Sequence, residues 1–377
     1  MARAPATAEI VELPESDRLE GFPHPRETKT LYGHGEAERM LAQALDGGRI
    51  HHGWLLAGPK GIGKATLAYR FARSALAAPN ERLHPAETLD VGDETSASRQ
   101  VRALSHPGLL LLRRIYDEKS KRFATSISVD EVRRLKSFLA HSASADAWRV
   151  VIVDEANELN INAANALLKS LEEPPPRTVF LLISSAPGRL LPTIRSRCRV
   201  LALKPLGTEN LRAAVSQALA AAGQEPPDAN QWPELERLAE GSAGRLLGLM
   251  GAGGLELQQR ISKLIGGLPR VDWRTVHALS DELQPIAAQP RFELFFELLL
   301  NSLERLIRAQ ATGEGSQQER ELAARLIGAE RLASFAAVWE RVGRAKAETV
   351  SLNLDRKTLI IETFGRLAAA AQDGKPA

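Results

Sequence analysis

Gly58-Pro59-Lys60-Gly61-Ile62-Gly63-Lys64-Ala65-Thr66 constrains this chain more than any other stretch. An apolar run, Trp54 to Ala57, precedes it and reads as a buried strand. Leu67 to Leu76 follows and reads as a helix with Leu67, Phe71 and Ala75 on one face. Strand, glycine-rich turn, lysine and helix form a cradle for phosphate. The glycines let consecutive backbone N–H groups curl around an anion, and Lys64 adds a positive charge at the helix N-terminus. The plainer alternative is a glycine turn that merely joins strand to helix. The flanking elements argue against it, and they place the turn in an α/β sheet.

Such loops carry a Ser or Thr directly after the lysine, where its hydroxyl binds magnesium. Here that position is Ala65. Thr66 is no ready substitute. Successive helix residues differ by about 100° around the axis and about 1.5 Å along it, so its hydroxyl is expected to point away from a phosphate-bound metal. Gly58, Gly61, Gly63, Lys64, Ala65 and Thr66 are therefore the candidate nucleotide-contacting residues. The loop allows ATP and magnesium without requiring them.

A second motif lies downstream, Val150-Val151-Ile152-Val153-Asp154-Glu155. An all-apolar run suits a strand covered by helices on both faces, and an acid at its C-terminal end lies where open α/β sheets bind ligands. Asp154 is placed to hold magnesium through water, and Glu155 to orient or deprotonate an attacking water. An Asp-Glu pair alone often just caps the next helix, but after a phosphate loop it carries weight. Gly108 to Arg113, Val179 to Ile183 and Val200 to Leu203 supply further strands. Ser184, at one strand end, is expected between the acid pair and the phosphate. The intervening segments read as helices, so the first half is a five-stranded, mostly parallel, doubly wound sheet.

Composition removes other classes. With 44% hydrophobic and 25% charged residues and a net charge of +3, the chain is ordinary globular protein, too weakly basic for generic DNA binding. The single Cys198 excludes an internal disulfide and a multi-cysteine zinc module, and fits a reducing cytoplasm. Glu9 and Glu12 interrupt any secretory apolar core, and no apolar run approaches a membrane span. His51-His52 invites a metal reading, but adjacent side chains of extended backbone point opposite ways, which favours packing or solvent.

Residues 1–25, with Pro5, Pro14, Pro23 and Pro25, read as a mobile arm. Pro79 to Ser105 is polar and weakly periodic, a long excursion. Tyr116 to Ala124, with Lys119, Lys121 and Arg122, reads as an exposed basic loop. Ser128 opens a helix expected to run to about Ser142. From Pro205 onward the chain reads as all-α. Helices Glu209–Ala222, Trp232–Ala239 and a third running through Met250 form a small lid, Gly251 to Gly254 a linker, and Leu257 to Ala370 a helical bundle.

The chain resembles the clamp-loader branch of the AAA+ ATPases. The residues that carry the resemblance are Leu31 to Glu36 with Gly48 to Trp54, Asn165 to Pro175, Ile194-Arg195-Ser196-Arg197-Cys198 and Asn353-Leu354-Asp355-Arg356-Lys357. The resemblance implies an ATPase-like α/β core at 26–204, a helical lid at 205–252 and a helical collar at 255–371 that closes a ring. It implies that Arg197 reaches the γ-phosphate of ATP held by a neighbouring subunit, as an arginine finger in trans. Ser184 falls at the first sensor position and Arg245 at the second. The zinc cysteines common in this branch are missing, so no zinc is expected. The implied partners are the other clamp-loader subunits (gamma/tau and delta) and, through the complex, the sliding clamp and primed DNA. Ala65 points to a ring member that supports its neighbour's hydrolysis rather than its own. The alternatives are an ATP-hydrolysing gamma/tau-type motor subunit of the same ring and, from another class, a stand-alone phosphoryl transferase.

Overall fold

The computed structural model of the chain describes residues 13–48, 50–119, 122–140 and 147–372. Its strands are β1 (Gly53–Ala57), β2 (Leu109–Arg113), β3 (Tyr116–Asp117), β4 (Arg122–Phe123), β5 (Arg149–Asp154), β6 (Thr178–Ser184) and β7 (Arg199–Ala202). Five of them form one parallel sheet in the order β2-β5-β6-β1-β7. The all-apolar runs are explained by period-two alternation with both faces covered. Trp54, Leu56, Val150, Ile152, Leu181 and Ile183 pack on one side with Leu67 and Phe71 of the Lys64–Leu76 helix. Leu55, Val151, Val153, Phe180 and Leu182 face the other side, against Val132 and Leu135 of the Val129–Ala140 helix and Leu167 and Leu171 of the Ile161–Glu172 helix. Each large side chain so buried contributes roughly 1.5–3 kcal/mol.

Several expectations change. Residues 13–27 are tied down rather than forming an arm. Glu15 bridges Arg26 and Arg113, at 2.9 and 2.7 Å, and Asp17 meets His24 Nε2 at 2.9 Å. His24 is fully buried, edge-on to Tyr69 at 5.4 Å. Distant charge pairing holds this strap, which local periodicity does not report. Residues 1–12 of the expected arm lie outside the described residues. The excursion at 79–105 contains a helix, Ser96–Arg102, capped by Thr95 and anchored by buried Ala97 and Val101. The basic loop is a short antiparallel hairpin of β3 and β4 with Tyr116 edge-on to Phe123, and its Lys121 lies outside the described residues. So does the expected end, at Ser142, of the helix that follows.

The backbone bends at His52, so the rings of His51 and His52 stack at 4.4 Å instead of pointing apart. Among the described residues no group of three or more potential ligands could hold a metal ion. None of the described helices is long and apolar enough to cross a membrane.

The contacts divide the chain into two compact units, one ending at Leu247 and the other starting at Gly248. The second is all-helical. Gly251–Gly253 forms a 3-10 turn feeding directly into the Gly254–Gly267 helix, where a loose linker was expected. Helices Gln289–Thr312, Leu332–Leu352 and Arg356–Gln372 build most of its core around Phe292, Phe295, Phe296 and Phe364. The 353–357 stretch is a joint. Asn353 ends one helix in a left-handed conformation, and Asp355 receives the backbone N–H groups of Lys357 and Thr358 to start the next. Arg356 is buried over the Phe292 ring and donates to the Pro285 carbonyl at 2.9 Å.

Candidate nucleotide loop and finger arginine

The loop leaves β1 at Ala57 and enters the Lys64–Leu76 helix through Gly63. Gly58 has φ +153°, and a Cβ there would stand 2.4 Å from the Leu203 carbonyl oxygen, so no other residue fits. Lys64 is buried, and its ammonium donates to the carbonyls of Gly58 and Pro59 at 2.9 and 2.7 Å. Burial lowers its pKa, while the charges of Glu155 and Asp154 oppose that shift. Ala65 packs half-buried against the sheet core, with no hydroxyl to offer, and Thr66 is likewise half-buried.

Sheet order brings the other predicted residues together. β6 lies between β5 and β1, so Ser184 stands beside Ala57, and its carbonyl accepts from Gly58 N at 3.2 Å. Asp154, at the end of β5, is buried opposite Arg113 of β2. Its carboxyl is held well above the usual range, first by burial, then by the charges of Asp17 and Glu155. Glu155 accepts from Ser185 Oγ at 2.6 Å, and Ser184 Oγ donates to Asn157 Oδ1 at 2.8 Å. The polar groups at the strand ends therefore bond to one another. Asn157 was not singled out from sequence; the available signal was a small polar residue shortly after an apolar strand.

The helix Ala243–Met250 meets the same loop. Ser242 Oγ donates to the Lys60 carbonyl at 2.7 Å, and Gly244 N donates to the Gly61 carbonyl at 2.9 Å. Arg245 pairs with Glu240 at 2.8 Å. From the other side His34, also unforeseen, packs its ring beneath Gly63 with Nε2 2.7 Å from the Ile62 carbonyl oxygen.

Arg197 is elsewhere. It follows the short helix Pro192–Ser196 and precedes β7, and its carbonyl oxygen lies 3.0 Å from where a Cβ on Gly53 would stand. Gly53 begins β1 and the phosphate loop follows its end, so the two features sit at opposite edges of the sheet, about 13 Å apart along the strand. The Arg197 side chain is 36% exposed and pairs with Glu172 at 2.9 Å. It also donates through Nη1 to the Thr193 carbonyl at 3.0 Å. Cys198 behind it is buried, which pushes its thiol pKa up to about 11 and leaves it an inert packing residue.

A family model described as "DNA polymerase III, delta subunit" matches residues 33–207. Over 162 residues the chain is 43% identical to the DNA polymerase III subunit delta' of Pseudomonas aeruginosa, a stretch covering 43% of this chain and 46% of that protein. It is 30% identical over 268 residues to the gamma/tau subunit of Mycobacterium tuberculosis, covering 70% of this chain and 43% of that one. The chain thus spans less than half the length of these curated relatives. A solved gamma-subunit-related protein from Thermotoga maritima aligns with 88% of this chain and 99% of its own, at 18% identity and TM-score 0.40.

Proposed function

We infer that this chain, which over residues 33–207 belongs to the DNA polymerase III delta-prime family, is a clamp-loader ring subunit serving ATP bound next door. It presents Arg197 to the γ-phosphate held by an adjacent motor subunit, where the guanidinium stabilises charge developing in the transition state. Its partners are gamma/tau and delta subunits and, through the complex, the sliding clamp and primed DNA, in the cytoplasm. Residues 255–371 serve as the collar that joins the ring, and residues 205–252 as the lid. The observation that carries this reading is the placement of Arg197. It lies at the opposite end of β1 from its own phosphate loop and is half-exposed, which supports contact with a nucleotide held by another subunit.

The chain's own loop does not fit magnesium-dependent hydrolysis. Ala65 supplies no hydroxyl, burial raises the pKa of the Asp154 carboxyl, and Glu155 is engaged by Ser185. Lys64 could still hold a phosphate by exchanging its carbonyl partners. No catalytic step is therefore assigned to this loop, and a motor role for the chain is disfavoured.

Reconstitution with the motor subunit tests the reading through DNA-stimulated ATP turnover. Arg197→Ala is expected to depress turnover at the shared interface by about a hundredfold or more. Undiminished turnover, in a complex that still assembles, would overturn the assignment.

A further inference from the structure

We propose that Glu172 is the positioning residue for Arg197, an inference that rests on Arg197 acting in trans. Glu172 is the last residue of the Ile161–Glu172 helix, and Pro174-Pro175-Pro176 follow closely. A carboxylate at that end meets the negative pole of the helix dipole, an unfavourable place for it. Here it is compensated by the guanidinium of Arg197, 2.9 Å away.

The arrangement aims the arginine. Nη2 pairs with Glu172 Oε1 at 2.9 Å and Nη1 donates to the Thr193 carbonyl at 3.0 Å, so one ion pair and one hydrogen bond hold the guanidinium. The remaining donors of its five are left for an oxyanion brought by another subunit. Both anchors stand on well-seated backbone. Leu171 is buried immediately before Glu172, and Ile194 and Cys198 are buried on either side of Arg197. The pair itself is exposed, 36% for Arg197 and 43% for Glu172. Ion pairs this open add little to folding, so the effect of Glu172 falls on where the guanidinium sits rather than on whether the chain folds.

The test uses the reconstituted complex with the motor subunits' own finger arginines removed, so that only the interface formed by this chain reads out. Glu172→Ala is expected to lower kcat for DNA-stimulated ATP turnover roughly tenfold, as a misplaced catalytic group does, with KM for ATP unchanged. Glu172→Gln keeps an acceptor oxygen at the same reach and should recover part of the loss. Glu173→Gln, one residue on, should leave kcat at the wild-type value. Thermal unfolding and complex assembly of all variants should match wild type. If Glu172→Ala keeps or raises kcat while Arg197→Ala abolishes turnover, the positioning role is wrong and the finger stands. If Arg197→Ala itself has full turnover, both readings fall.

Discussion

Ser242 Oγ donates to the Lys60 carbonyl at 2.7 Å while accepting from Arg245 N at 3.1 Å, so one buried hydroxyl both caps the Ala243–Met250 helix and grips the glycine-rich loop. Ser242→Ala removes both bonds. The expected loss is about 1–2 kcal/mol of stability, measured by urea unfolding, because the Lys60 carbonyl and the helix N-terminus each lose a partner. Amide exchange at Gly244 should accelerate in the same variant, since its bond to the Gly61 carbonyl depends on the same contact.

Gly61 gives a sharper version of this test. Its φ is +77°, and a Cβ would lie 2.6 Å from Ser242 Oγ and 2.9 Å from Gly244 Cα. Gly61→Ala therefore combines left-handed strain with a clash against the Gly244 backbone, and about 3 kcal/mol of destabilisation is expected. Gly48, at φ +63° with nothing nearby, carries the strain alone, so Gly48→Ala should cost only about 1 kcal/mol. Equal losses for the two variants would mean that the Ala243–Met250 helix does not bear on the loop.

Restoring the missing hydroxyl should not restore an ATPase. Ala65→Ser supplies a potential magnesium ligand, yet Asp154 stays buried with its carboxyl raised by desolvation, and Glu155 stays bonded to Ser185. The isolated variant is expected to turn over ATP no faster than wild type. Turnover at a motor subunit's rate would show that Ala65 alone silences the loop.

The sheet and its loop were legible because burial on two faces leaves a plain record: runs such as Val150 to Val153 admit few other environments. The strap at 13–27 was not. Its order comes from Glu15 and Asp17 pairing with Arg113, far away in sequence, and its prolines suggested the opposite. The Ser96–Arg102 helix escaped notice because only Ala97 and Val101 mark its inner face, too short a stripe to show a period. At the site, residue types were readable but their engagements were not. That Lys64 bonds loop carbonyls depends on how the loop curls, and that Ser184 turns to Asn157 and Glu172 takes Arg197 depends on which elements lie side by side.

The strap supplies a buried charge network that can be broken from one side. Asp17 is held below the usual carboxylate range. Burial works against this, but the hydrogen bond and charge of His24 and the charge of Arg113 outweigh it. Asp17→Asn should cost roughly 2–4 kcal/mol, because it leaves His24 and Arg113 without their common anion in a dry setting. Glu15 retains part of Arg113, and in Arg113→Ala Glu15 keeps Arg26 while Asp17 keeps His24, so that change is expected to cost no more than Asp17→Asn.

His34 provides the pH test. Its pKa lies below the ordinary 6.5, first because of burial and then because of the nearby Lys64 charge, against which its bond to the Ile62 carbonyl works. A depressed imidazole pKa means that the unfolded chain binds a proton the folded chain refuses. Above 6.5 both states are neutral there and the group contributes no pH dependence. As pH falls below 6.5 toward the folded-state pKa, stability drains away with each unit. His106 shifts in the same direction through burial, so a single wild-type slope cannot assign the effect. The comparison that can is His34→Gln, which keeps a donor for the Ile62 carbonyl but does not titrate. The variant should be about 1 kcal/mol less stable than wild type near neutrality, from imperfect packing beneath Gly63. As pH falls below about 6.5 that gap should narrow, as wild type loses stability the variant does not. Urea midpoints at matched pH values measure it, and a gap that stays constant or widens on acidification would show that His34 is not held neutral beneath the loop.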